Sequence, residues 1–322
     1  MNETDYNVEC RRLKDSTFEE VLADPLFDNV REDIERIKQM IPYGEGFKRV
    51  YQILIKHQLS VINCGRLFLK TLSNTELMNK LKDEFLVKEP TVNQEYINEF
   101  ITQFDIEQFK KQILAHDNDK FMNKELEKKY IYALGCISIY FEKKKLNDDE
   151  FHRIKAFQRS LMRVHGLNNP HHMEYYSEPV ELTNEILVEH CIDSLSVGVP
   201  INGEIVGEFI LNGMKEQIVF ENKKNADRIK YIIYVVRYEI FKELEPFAQI
   251  IEDKESIGKD IRQAKRDIKE KFKEIMRRPI DDGYEENMKI MHDDEHKFLE
   301  YLESNKYVDV QEALKHKNDL FK

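Results

Sequence analysis

No stretch of the 322 residues stays apolar for the roughly 20 positions that a bilayer-crossing helix needs. The opening MNETDYNVECRRLKD also lacks the basic-then-apolar pattern of an export signal, so the protein is expected to remain inside the cell, in the cytoplasm. Cysteine is scarce. Cys10, Cys64, Cys136 and Cys191 stand far apart and form no CxxC pair, which removes a zinc knuckle or a disulfide framework and leaves reduced, mostly buried thiols. Long basic runs are missing too. With 50 Lys and Arg against 61 Asp and Glu, the net charge of −11 repels DNA, RNA and anionic membrane, and nucleic acid is the last partner to expect. Only 11 glycines and 8 prolines interrupt the chain, so long unbroken elements are expected.

What is present supports a folded protein. The 41% apolar residues supply a core and the 34% charged residues an ionised surface, which excludes wholesale disorder. Apolar positions recur three and four apart in FKRVYQILIKHQLSVINCGRLFLKTL, Phe47 to Leu72, and again over Ile97 to Ala115, Glu125 to Lys144 and Asp149 to His165, so helix dominates. Ser196 to Phe220 differs: Asn-Gly occurs twice between short β-branched runs, the pattern of hairpin turns. After Asn222 an apolar stripe through RIKYIIYVVRYEIFKEL restores helix, and a highly charged helix follows from Asp253 to Arg278, ended by Pro279. The interspersed charges of that last helix favour a salt-bridged solvated face, or packing on a protein partner or a second copy of the chain, over a nucleic-acid stripe. The expected architecture is mainly α: a wrapping segment over 1–42, a helical bundle over 43–198, a small β-hairpin insertion over 199–222 and a helical C-terminal extension over 223–322.

The chemistry gathers in VHGLNNPHHMEYY, Val164 to Tyr176, with three histidines in thirteen residues. His57, the pair His116-Asp117, and Glu189 with Asp193 add further donors on other helical segments. Imidazole and carboxylate are good ligands for Mn, Fe, Zn or Ni, and a site built from separate helices takes one or two from each. Glu189 and Asp193 are i and i+4 and share a helix face, so either completes a coordination sphere. Asn169-Pro170 disfavours helix at Asn169 and starts a new segment at the imidazoles. His171 and His172 cannot face the same way on a regular helix, which makes one of them a supporting residue. The plain alternative is a packed, hydrogen-bonded histidine core. A second pair, His292 and His296 in HDDEH, has zinc-compatible spacing but no third ligand nearby in sequence, and reads as an exposed acidic helix.

Taken together, His57, HDNDK, HGLNNPHHMEYY and EHCID resemble the DUF5662 family, whose pattern runs approximately H…HDxSK…HxxxNPHHxEYW…EMxxDW, over about Lys56 to Ser194. Asp119 stands where the family has serine, and Tyr176 and Ser194 where it has tryptophan, in a chain without any Trp. The order H…HD…H…H…D is also similar to HD-domain hydrolases, all-helical proteins that bind one or two divalent metals. That resemblance implies an HD-like bundle in which His57, His116, Asp117 and Asp193 are the primary metal ligands. His165 and one of His171 or His172 would then serve a second ion or a phosphate, with Lys120 near the phosphate.

The activity implied is metal-assisted hydrolysis of a phosphate ester, a nucleotide or another small phosphorylated metabolite, with one or two ions of Mn, Fe, Zn, Ni or Mg. Glu174 or His172 would move the proton, and Tyr175 and Tyr176 would stack on a base or wall the pocket. Two alternatives stay open: a di-iron oxygenase on the same scaffold, and a non-catalytic protein-binding module whose histidines form a structural metal site or a hydrogen-bonded core.

Overall fold

A computed structural model of the chain describes residues 43–117, 165–203, 205, 214, 217–253 and 255–276. Every regular element among the described residues is helical. Helix α1 spans Tyr43–Leu72, α2 Thr75–Lys88, α3 Gln94–Thr102, α4 Ile106–Ala115, α5 Asn184–Asn202, α6 Lys223–Val235, α7 Glu245–Glu252 and α8 Gly258–Met276. The mainly α class follows from the sequence pattern. The expected helices over Glu125 to Lys144 and Asp149 to His165 lie outside the described residues, apart from His165 itself. The wrapping segment, the HDDEH pair and Lys120 also lie outside them.

The helices start where short polar side chains accept orphan backbone N–H groups. Asn74 accepts from Leu77, Asn93 from Glu95, Asp105 from Gln108, Thr183 from Ile186, and Asn222 from both Lys224 and Asn225. One of these caps explains a departure from the periodicity. The Ile97 to Ala115 run is two helices, because Asp105 caps α4 with its side chain while its own N–H donates to Glu185 Oε1 at 2.6 Å. Phe104, between the two helices, packs its ring against Phe100 and Phe109 with centroids 5.8 and 5.2 Å away.

The proposed β stretch also begins as helix. Residues through Asn202 continue α5, and Gly203 ends it at φ 66°, donating its N–H to the Val199 carbonyl at 3.0 Å. A hairpin turn and a helix C-cap both demand positive φ, so Asn202-Gly203 satisfies either pattern. Ile218–Glu221 is a 3₁₀ turn, and the second Asn-Gly, at 212–213, lies outside the described residues.

The chain divides into two compact units. Their described residues are 43–58, 117 and 165–175 in the first, and those of 59–116 and 176–276 in the second. The second unit has a continuous aromatic and aliphatic core. Phe68, Phe100 and Phe109 are fully buried with Tyr231, whose hydroxyl donates to the Met78 carbonyl at 2.9 Å. The apolar stripe of α8, Ala264, Ile268, Phe272 and Ile275, is buried within this unit, and its outer face carries ion pairs such as Lys273 with Glu270. The charged C-terminal helix is thus packed on its own unit along its described length.

A buried polar network fixes the entry to α5. Arg228 donates to Asn184 Oδ1 at 2.7 Å and to the Leu182 carbonyl at 2.8 Å, and Asn225 Nδ2 donates to the carbonyls of Val180 and Val219. Burial pulls the guanidinium pKa down, and Glu181, Glu99 and Glu185 oppose that shift.

In the first unit, residues 165–168 are helical, Asn169 leaves the helix before Pro170, and Met173–Tyr175 forms a 3₁₀ turn. The chain reverses there through the His172 N–H to Asn169 carbonyl bond of 3.0 Å.

Candidate metal centre

Helix α4 stops at His116, where ψ of 128° leaves the helical region, and Asp117 follows in the left-handed region at φ 58°. Aspartate is among the few side chains tolerated there. The boundary between the units falls at this peptide bond.

Within the second unit, α5 lies alongside α4 in the same direction and presents acidic residues at i, i+4 and i+8. Glu185 holds the first N–H of α4's cap, as above. One turn on, Glu189 Oε1 lies 3.0 Å from His116 Nδ1, and Asp193 Oδ1 lies 3.5 Å from His116 Nε2. An ionised carboxylate only accepts, so the closer contact assigns the imidazole proton to Nδ1 and turns the Nε2 lone pair toward Asp193. The His116 side chain is 1% exposed. Glu189 is therefore an orienting partner of His116, and Asp193 stands on the ligand side of the ring.

Within the first unit, the Asp117 carboxylate is the hub. Its Oδ1 lies 2.8 Å from His165 Nε2 and 3.8 Å from His171 Nε2, while Oδ2 lies 3.4 Å from His57 Nε2. The side chains of Asp117 and His165 are 2% and 0% exposed, so the negative charge is buried and its stability depends on donors or a cation beside it. The rings of His171 and His172 are 4.4 Å apart, and that of His172 is 4.7 Å from His165. His171 and His172 both reach the cluster because they sit on a turn. The helical geometry that would have separated them does not apply.

One ligand atom from each of Asp117, His165, His171 and His172 falls within 4.8 Å of all the others. Metal–ligand bonds of about 2.0–2.2 Å place neighbouring ligand atoms about 3–4 Å apart, so small inward movements give these donors a common ion. Neutral imidazole with one carboxylate is also the donor set that first-row divalent metals favour. The buried cluster can hold a metal.

Of the remaining candidates, Asn169 donates to His165, and Glu174 and Tyr175 lie half-buried on the adjoining 3₁₀ turn. Glu185 is the contributor that the sequence left unremarked. Its one signal was the four-residue spacing to Glu189.

A family model described as a family of unknown function, DUF5662, matches residues 46–235, more than half of the chain. The chain belongs to the DUF5662 family. The match takes in both acid–histidine groups of this DUF5662 member, from His57 to Asp193. No curated protein and no solved structure matches the chain.

Proposed function

We propose that this DUF5662 member is a metal-dependent phosphohydrolase with an HD-like helical core, acting on a nucleotide or another small phosphorylated metabolite. The observation that carries the reading is the convergence of the buried Asp117, His165 and His171 with the half-buried His172 in the first unit. The order of histidines and aspartates, which resembles that of HD-domain hydrolases, supplies the reaction class.

In this reading the ion would be held by Asp117, His165, His171 and His172, with His57 beside the second oxygen of Asp117. A divalent ion supplies Lewis acidity and lowers the pKa of water toward ~7. The protein supplies the rest. Asp117 keeps its two oxygens on different histidines, and burial excludes bulk water from His165 and His171. Glu174 accepts or returns a proton from the half-buried turn, and Lys120 neutralises phosphoryl charge. His116 with Asp193, oriented by Glu189, offers a further pair of ligand atoms.

Elemental analysis of the purified chain, followed by a phosphatase assay across nucleotides and p-nitrophenyl phosphate, tests this. The expected result is at least one transition-metal ion per chain, with both metal and activity lost in Asp117→Asn and His171→Ala. A folded chain without metal after refilling with Mn²⁺, Fe²⁺ or Zn²⁺ overturns the metal reading. A metal-loaded chain inert toward every phosphate ester overturns the hydrolase.

A further inference from the structure

Three acids of α5, Glu185, Glu189 and Asp193, stand one turn apart, and they meet α4 in two different ways. Glu185 Oε1 accepts the Asp105 N–H at 2.6 Å, and Glu189 Oε1 lies 3.0 Å from His116 Nδ1. Asp193 Oδ1 lies 3.5 Å from the other ring nitrogen, His116 Nε2, beyond the length of about 2.7–3.2 Å usual for an N–H···O bond. The His116 and Glu189 side chains are 1% and 5% exposed, so the Glu189 charge is desolvated and needs a donor beside it. The Nδ1–H of His116 supplies one. A neutral imidazole carries a single ring proton, so Nε2 then presents a lone pair to a second acceptor, the Asp193 carboxylate.

Two acceptors turned toward each other repel unless a cation lies between them. A shared proton draws N and O to about 2.7–3.2 Å, whereas a divalent ion with bonds of about 2.0–2.2 Å holds two ligand atoms about 3–4 Å apart. The observed 3.5 Å suits the ion. We infer that Glu189 is a positioning residue: by holding the His116 proton on Nδ1 it makes Nε2 and Asp193 Oδ1 two ligand atoms of one ion instead of a hydrogen-bonded pair. The local sequence builds this arrangement. Glu189 and Asp193 are four apart on α5 and share a face, and His116 stands at the C-cap of α4, so the two nitrogens of one ring meet two successive acids.

The inference rests on the metal reading for its consequence but not for its tautomer, and the two are tested separately. Both arms use the full-length chain labelled with ¹⁵N at histidine, in which His116 is assigned by the signals missing from His116→Gln. In the metal-free chain, long-range ¹H–¹⁵N correlation is expected to show the ring proton on Nδ1 in the wild type and in Glu189→Gln, whose amide oxygen still accepts. In Glu189→Leu the proton is expected on Nε2, where Asp193 is the nearer acceptor. A wild-type ring protonated on Nε2, alone or together with Nδ1, overturns the inference. The second arm adds Zn²⁺ and follows the His116 Nε2 resonance to its metal-bound position. Half-saturation should stay within a few-fold of wild type in Glu189→Gln and need about 10–100-fold more Zn²⁺ in Glu189→Leu. Equal weakening in the two variants, with helical content preserved, overturns the positioning role, and the wild-type tautomer decides should Glu189→Leu fail to fold. Zn²⁺ uptake that leaves Nε2 unmoved overturns the inference and leaves the Asp117 cluster as the metal centre. A wild type that takes up no Zn²⁺ overturns the metal reading, and the tautomer then decides the inference.

Discussion

Cys64 and Cys191 are fully buried in the second unit, and burial pushes the Cys64 thiol up to about 12 and that of Cys191 further. Ser196 Oγ donates to Cys64 Sγ at 3.8 Å, which opposes only part of the shift. A folded pKa above the unfolded one stabilises the fold fully below the unfolded value, near 9, and that contribution is lost as pH rises toward about 12. Unfolding free energy should therefore fall above pH 9 by roughly 1.4 kcal/mol per pH unit for each thiol. Urea titrations at a series of alkaline pH values check this, and Cys64→Ala should flatten the slope. The thiols' buried state was legible from their scatter and lack of pairing. The clustering of His165, His171 and His172 was legible as well, from their density between Val164 and Tyr176. Which ring nitrogen of His165 faces Asn169, and which of His116 faces Glu189, was not, because sequence spacing does not encode ring orientation.

Arg228 on α6 ties down the turn that starts α5, and with it the register of Glu185, Glu189 and Asp193. Arg228→Met keeps much of the volume but leaves the Leu182 carbonyl and Asn184 Oδ1 without their donor. The expected loss is about 2–4 kcal/mol, read as a shift of the urea midpoint at unchanged m-value. Gly203→Ala should cost about 1–2 kcal/mol from its positive φ alone, and more from the added methyl, which meets the Lys265 carbonyl oxygen. Helices α6 and α8 and the part of α1 from Val61 to Phe68 were legible because their apolar residues are buried in the core of the second unit. The break between α3 and α4 was hidden, since Glu185, eighty residues away, is what makes the Asp105 cap compete with continued helix. The Asn202-Gly203 pair misled for a related reason: local sequence records the need for a left-handed residue, and the partner segment decides which motif uses it.

Over the molecule as a whole, the charge of −11 would oppose the approach of the phosphate ester proposed as substrate. At low ionic strength the global field opposes encounter, so kcat/KM for a nucleotide should rise as salt is increased from about 10 to 100 mM, where the Debye length shortens to ~10 Å. A fall over that range would mean that local positive charge at the site dominates the field. Among the described residues no helix is long and apolar enough to cross a membrane. Ion binding to the folded chain alone should also raise its stability, by about 2.7 kcal/mol at a free ion concentration of 100 times Kd, and thermal melts with Zn²⁺ against a chelator measure this.

The left-handed backbone at Asp117 limits what can stand there. Lengthening the acid to Glu forfeits both the tolerated main-chain geometry and the reach of each oxygen, and Ala gives up the side chain while still incurring the conformational penalty. Asn alone preserves shape and torsion while removing charge, so at this one position amide exchange isolates electrostatics from architecture.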